Sequence, residues 1–461
     1  MRRAAGGALL ACLAMGASCS SSAFTFDSRR ITLQRGPEGE LLAGLSGDDQ
    51  GSATEGTAVL DTGTPISIWQ TPLEPGEVAQ ARRWKLRLLG SGETDNHKAR
   101  AILDGVVLVG GPLGDLGGAA GGSVHPLALL GGDLLSVFSL ELGFDAPELV
   151  LWGEQPAPDG FLSATGYAVL HVRRRGAGET EARIASEGLG PAAPLQYPPT
   201  MLAVRACAAP AAFDREAPPP GRCCVGDERA LASGVDLALL LGTGYGPVVL
   251  SRSAWNRVAR ALPAVPAMVT RPLRVATAVA PINAQWATLP RLALVDREAD
   301  TSVNPGPCVE LGRSRRLEQV AVREARDAAS AACALPCDQD GGSGRAQNSA
   351  GYLELGGELP VAVIDDGDLL LQTIRAQVRP DGPELDGIVG AGALRGSRVE
   401  VDYHGQPARV IFSCATGVAA ASCHAVGRCP RLPGPGQTHV CFGLPAHGLP
   451  AMCDNLPAQC P

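Results

Sequence analysis

A strand-and-turn unit occurs twice in this chain, and its second copy is damaged. Residues 58–69 read Ala-Val-Leu-Asp-Thr-Gly-Thr-Pro-Ile-Ser-Ile-Trp: apolar residues lead to Asp61, a Thr62-Gly63-Thr64 turn follows, and the exit is rich in β-branched residues. Residues 239–251 read Leu-Leu-Leu-Gly-Thr-Gly-Tyr-Gly-Pro-Val-Val-Leu-Ser, so Gly242, Thr243, Gly244 and Tyr245 stand 181 positions after Asp61, Thr62, Gly63 and Thr64. Each copy has an apolar-apolar-glycine strand downstream. The first is Leu129-Leu130-Gly131 in ALLGGDLLSVFSLELGFDAPELVLW, and the second is Ile388-Val389-Gly390 in DGIVGAGALRGSRVEVDYHGQPARVIF. Alternating residues after each glycine read as further strands closed by turns. Glycine is what a close approach of two backbones demands, because a Cβ would not fit there. One Asp-Thr-Gly tripeptide arises easily by chance, whereas two ordered turn-and-strand pairs are far harder to obtain by accident. The alternative is an unrelated all-β sandwich in which these are ordinary strand-turn repeats.

The first turn resembles the active-site loop of the aspartic peptidases, the pepsin and retropepsin families, in which apolar residues run into Asp-Thr/Ser-Gly-Thr/Ser. The resemblance implies an all-β, two-lobed acid-protease-like architecture of β-barrels, with Leu129, Leu130, Gly131, Ile388, Val389 and Gly390 supporting the cleft. Its chemistry needs one aspartate from each lobe. Two carboxylates about 3 Å apart cannot both ionise easily, so they share a proton and divide the work of acid and base around a water. Asp61, with Thr62, Gly63 and Thr64, is the lone catalytic candidate, and Gly242, Thr243, Gly244 and Tyr245 form its degenerate counterpart. Gly242 has no side chain, and Tyr245 replaces the hydroxyl residue that Thr64 supplies in the first copy. Thr62 and Thr243 are both kept, and in the family these threonines brace the two loops against each other. Lacking a carboxylate neighbour, Asp61 is expected to be ionised at mildly acidic pH.

Asp236, Asp365 and Asp366 are the nearest substitutes in sequence, and none occupies an apolar-strand turn of the right type. Asp236 is expected to precede its strand, and Ile364-Asp-Asp-Gly367 reads as a plain turn, which makes all three solvated loop carboxylates. Between Asp61 and Gly131 there is no tyrosine for a flap; Trp84 is the aromatic on offer, and the run from Gly110 to Gly122 reads as a loop.

The N-terminus reads as an export signal. Met1-Arg2-Arg3 and the small-apolar run to Met15 have signal-peptide size and are too short to span a bilayer. Residues 1–18 are therefore assigned as signal peptide. Gly16-Ala17-Ser18-Cys19 resembles a bacterial lipobox, which would make Cys19 the lipidated first residue; Ser21-Ser22-Ala23 offers plain cleavage and secretion instead. Cys12 follows too little apolar sequence to take that role. A net charge of −8 argues against nucleic acid or anionic lipid as partner. The 58 glycines and 37 prolines favour many short strands over long helices.

Setting aside Cys12 and Cys19, the remaining 12 of 14 cysteines all lie after residue 200. An even number in an oxidising compartment predicts disulfides, whose pairing is left open. His424 and His439 sit near several of these cysteines, but no CxxC pair appears, so no metal site is expected. No P-loop, Rossmann glycine pattern or HExxH appears either, so no cofactor is expected.

The interval from Asp61 to Gly131 is 70 residues and that from Gly242 to Gly390 is 148, which places an insertion in the second lobe at about 297–350, helical over Leu317–Leu335. The expected organisation is a first lobe at 19–155, a second, degenerate lobe at 156–415 and a Cys/Pro-rich tail at 416–461. The expected function is that of a non-catalytic binding protein of the envelope, an outer-membrane or periplasmic lipoprotein or else secreted. It would be a monomer that binds peptide or an envelope protein and touches the membrane only through its lipid. Two alternatives stand beside it: an active aspartic endopeptidase pairing Asp61 with a second chain's aspartate or another carboxylate, and a purely structural surface lipoprotein.

Overall fold

The structure, a computed structural model, describes residues 28–48, 53–73, 79–90, 100–117, 123–152, 167–175, 178–186, 193–197, 199–210, 234–262, 268, 272–275, 282–296, 306–312, 351–378, 384–404, 408–415 and 423–426. The first half holds β1 (Ser28–Thr32), β2 (Gln34–Arg35), β3 (Leu41–Asp48), β4 (Ala53–Leu60), β5 (Ile68–Gln70), β6 (Gln80–Leu89), β7 (Ala101–Gly111), β8 (Leu116–Gly117), β9 (Ser123–Val124) and β10 (Ala128–Leu130). A helical turn at Gly132–Leu135 then leads to β11 (Ser139–Gly143) and β12 (Glu148–Trp152). The second half holds β13 (Tyr167–Arg175), β14 (Gly178–Ser186), β15 (Ala193–Tyr197), β16 (Met201–Ala208), β17 (Val235–Gly242) and β18 (Val248–Ser251). After a helix at Arg252–Ala261 come β19 (Pro272–Val275), β20 (Ile282–Val295) and β21 (Tyr352–Ile364). A helix at Leu369–Val378 precedes β22 (Gly387–Gly390), β23 (Ser397–Asp402), β24 (Ala408–Cys414) and β25 (Cys423–Val426).

The two halves repeat one pairing scheme. In the first, β4 lies antiparallel to β3 and parallel to β10, while β10 is antiparallel to β5 and β5 parallel to β7. The circuit closes through β6, antiparallel to both β7 and β3. In the second half β17, β16, β22, β18, β21 and β20 stand in the same relations, each with the same sense. Two β lobes of one design result, which is the all-β, two-lobed, acid-protease-like architecture.

A shared sheet joins them in the order β1-β12-β11-β23-β24-β13, with β11 antiparallel to β23 at its centre. The order reads alike from either end, so a pseudo-twofold axis passes between β11 and β23. Leu140, Leu142, Val399 and Val401 turn one face of these strands into the largest core cluster, which draws residues from both lobes. Burying each such side chain is worth about 1.5–3 kcal/mol, so the lobes share a hydrophobic core. Among the described residues no helix is long and apolar enough to cross a membrane.

Several elements depart from the plain duplication. The β14–β15 hairpin reaches back to the first lobe, where Ala185 and Ser186 pair in parallel with Gln80 and Ala81. The tail expected from residue 416 begins by returning to the second lobe, because β25 pairs antiparallel with β21 and a Cys414–Cys423 disulfide closes the return. A second disulfide, Cys207–Cys308, ties β16 to a helical turn at residues 307–312. The other eight cysteines after residue 200 and the expected helix at Leu317–Leu335 lie outside the described residues. Trp84 belongs to the first lobe's interior: its ring stacks on Trp69 at 3.8 Å between centroids, and Gly47 leaves the room that this stack needs. In the run from Gly110 to Gly122, Gly110 and Gly111 end β7 and Leu116–Gly117 pairs antiparallel with Ser123–Val124, while residues 118–122 lie outside the described residues.

Candidate active-site turns

The two damaged and undamaged turns meet at the lobe interface. β10 lies parallel to β4 with Leu130 level with Leu60, and the Asp61 N–H donates to the Leu130 carbonyl at 3.0 Å. β22 lies parallel to β17 with Gly390 level with Gly242. A Cβ on Gly131 would come within 2.8 Å of the Thr64 carbonyl oxygen, and one on Gly390 within 2.5 Å of the Tyr245 carbonyl oxygen. Both glycines are therefore required by backbone approach.

Threonines brace the turns across the interface. Thr62 Oγ1 donates to the Leu241 carbonyl at 2.9 Å, and Thr243 Oγ1 donates to the Leu60 carbonyl at 2.8 Å while accepting from the Thr62 N–H at 3.2 Å. All the groups involved are buried, so each bond replaces one that water would otherwise supply.

Asp61 is 1% exposed and both of its oxygens are engaged. Oδ1 accepts from the N–H groups of Gly63 at 2.8 Å and Gly244 at 3.1 Å, and Oδ2 accepts from Thr64 Oγ1 at 2.6 Å. Gly244, from the second lobe, has to be glycine, since a Cβ there would lie 2.6 Å from Asp61 Cγ. Burial pushes the Asp61 carboxyl up from its ordinary range, and the three hydrogen bonds only partly oppose that. The expectation of ready ionisation in mild acid is corrected. It weighed only neighbouring charges, whereas desolvation disfavours the anion whether or not a second carboxylate is near.

In the second lobe the position level with Asp61 is surrounded by hydrophobic core. A Cβ on Gly242 would lie 2.8 Å from Ile388 Cγ2 and 2.8 Å from Tyr245 Cδ2. Tyr245 and Ile388 belong to a buried cluster with Leu240, Val249 and Met201. Tyr245 is 3% exposed, its phenol hydrogen-bonds the Thr64 side chain, and burial with the nearby Asp61 charge pushes its ionisation well up. Nearby, the Pro37–Gly39 turn of the first lobe presses Glu38 against Gly246.

The alternative carboxylates have structural roles elsewhere. Asp236 lies within β17 and not before it, and its Oδ1 accepts from the Cys308 N–H at 2.8 Å. Asp365 pairs with Arg252 at 3.1 Å, and Asp366 accepts from the Ser253 hydroxyl at 2.7 Å, so both hold the start of the Arg252–Ala261 helix. All three are exposed, as expected of solvated carboxylates, and the expectation is corrected in the place of Asp236, which lies in a strand.

One supporting pair escapes sequence reading. Ser67 Oγ donates to Asp133 Oδ1 at 2.6 Å and accepts from the Gly131 N–H at 2.9 Å, linking the exit of the first turn to the glycine strand. Burial pushes the Asp133 carboxyl up to about 6. The available signal was an aspartate in the first turn of a helix directly after Gly131-Gly132, a favoured position for a carboxylate.

Among the described residues no cluster of three or more His, Cys, Asp or Glu side chains is arranged to hold a metal ion. Among the described residues no second carboxyl hydrogen-bonds to Asp61.

No family model matches the chain, and no curated protein matches it. Among solved structures it is similar to an aspartic proteinase from Irpex lacteus, at 10% identity over 86% of this chain and 99% of that one, with a TM-score of 0.34. The chain's own duplicated strand pairing and its two interlocked turns define an aspartic-protease-like fold, with Asp61 in the first turn and Gly242 level with it in the second.

Proposed function

We propose that this chain is an exported aspartic-peptidase-like protein of the cell envelope that does not cleave peptides, is anchored through a lipid on Cys19, and binds peptide or another envelope protein. The observation that carries the reading is the packing at Gly242, where Tyr245 and Ile388 fill the space a second aspartate side chain would need. The paired mechanism needs an acid and a base on either side of a water. Asp61, 1% exposed and fully hydrogen-bonded, has no such partner among the described residues. Pairing two first lobes to bring in a second Asp61 competes with the chain's own second lobe, whose Thr243 and Gly244 are bonded to that face. Export and anchoring rest on the residues from Met1 to Cys19 alone.

The deciding assay compares the natural chain with Asp61→Asn on unfolded protein substrates from acid to neutral pH. Acid or base assistance is typically worth about 10²–10⁴ in rate, so neither protein should cleave measurably and the two should not differ. Pepstatin-sensitive hydrolysis by the natural chain that disappears in Asp61→Asn would overturn the proposal.

A further inference from the structure

On the pseudo-twofold axis, Glu141 of β11 stands directly opposite Glu400 of β23, on the face of the shared sheet away from the inward-turned Leu140, Leu142, Val399 and Val401. Directly opposed residues of antiparallel strands have Cβ atoms about 4.5–5.5 Å apart, and like charges so placed repel. Glu141 is 7% exposed, and its Oε1 pairs with Arg398 at 2.6 Å.

The charged neighbours are otherwise matched. From β24, Ile411 faces Glu400 directly, and the flanking Arg409 is paired with Asp402 at 2.7 Å. Beyond Glu141, β12 brings Val150 opposite it and Glu148 beside it, and Glu148 is paired with Arg30 of β1 at 2.8 Å. The groups around the joint are thus Glu141, Glu148, Glu400 and Asp402 against Arg30, Arg398 and Arg409. Each arginine has a carboxylate partner, and Glu400 has no ion pair of its own among the described residues.

We propose that Glu141 and Glu400 form a proton-sharing joint between the two lobes, tightened when Glu400 carries the proton and loosened when both carboxyls ionise. A protonated Glu400 can donate to a Glu141 oxygen, whereas two carboxylates would place like charges on the strand pair that joins the lobes. Burial first, and then the Glu141 charge, push the Glu400 carboxyl up to about 8 against the pull of Arg398. Burial also raises Glu141, with Arg398 and Arg30 opposing.

The sign of the linkage follows. An unfolded glutamate titrates near 4.5 and the folded one near 8, so between these values the folded chain holds the extra proton and stability falls as pH rises. Above about 8 the contribution is flat. Asp133, pushed up to about 6, finishes most of its own titration below the upper part of this window. From pH 6.5 to 8 this linkage falls from nearly one proton to half a proton, so it raises the unfolding equilibrium constant about fifteenfold over that range.

Two measurements on the full chain test the joint. In protein carrying ¹³C-glutamate, the Glu400 side-chain carboxyl, assigned through its own backbone amide, should titrate near 8 and move down in Glu141→Gln. Denaturant unfolding between pH 6.5 and 8 should show this rise as the difference between the natural chain and Glu400→Gln, whose slope is shallower by the Glu400 proton while Asp61 and Glu141 keep their own linkage. A Glu400 midpoint in the ordinary glutamate range, or an unchanged slope in Glu400→Gln, overturns the proposal. Should one variant fail to fold, the other decides, and a Glu400 midpoint near 4.5 in the natural chain removes the joint in either case.

Discussion

At the residue scale, the surroundings of position 242 are settled by packing. Gly242 has no side chain, and the Tyr245 ring and Ile388 close on the space above it. Replacing Gly242 by aspartate would overpack this cluster, which typically costs about 1–3 kcal/mol, and would also bury a carboxyl beside Asp61. Gly242→Asp is therefore expected to lower the denaturation midpoint without producing peptidase activity. Adding Tyr245→Thr, which clears the ring and restores an outer hydroxyl, should recover part of the loss. Equal stability of Gly242→Asp and the natural chain in urea unfolding would mean that the ring does not fill the site in solution.

At the element scale, the turns are held by strands and by backbone acceptors, not by acid pairs. Each turn ends a strand that lies parallel to a glycine strand, and each sends a threonine hydroxyl to the strand that ends in the other turn. None of these bonds uses a side chain at position 242, so the interlock forms with glycine there. It is sensitive to the threonines. Thr243→Val removes a hydroxyl that serves both the Leu60 carbonyl and the Thr62 N–H, leaving buried groups unsatisfied at about 1–3 kcal/mol each. Thr243→Ser keeps the hydroxyl and should cost much less. Chemical denaturation of the two variants compares these directly, and similar losses in both would assign the effect to packing instead of the hydrogen bonds.

At the scale of the whole molecule, the N-terminal strand β1 lies at one end of the shared sheet, paired to β12 from Ser28 onward. Only a short stretch separates it from Cys19, so an acyl chain on that cysteine would hold the body near a membrane surface. If Cys19 is acylated, Cys19→Ala should move the protein from the membrane fraction to the soluble one. A single acyl chain gives only marginal binding and stable anchoring takes a second one, so full retention of the variant would point to another anchor. A natural chain already soluble would favour plain signal cleavage.

Much of the fold was legible because its determinants are local. The Asp61 and Gly242 turns, the Leu129-Leu130-Gly131 and Ile388-Val389-Gly390 strands and the retained Thr62 and Thr243 are short patterns whose chemistry dictates close backbone approach, and they led to two β lobes and a lone aspartate. The sequence by itself determined the duplicated turns, their glycine strands and the glycine at position 242. Tertiary structure alone decided the upward shift of Asp61, the Ser67–Asp133 link, the burial of Trp84 on Trp69, the bonding of Asp236 to the Cys308 backbone and the Glu141–Glu400 register. The reason is common to all five: each depends on which distant residues become neighbours and how completely water leaves them. A periodic pattern along the chain records which side of a strand is apolar, and does not record what that side will face.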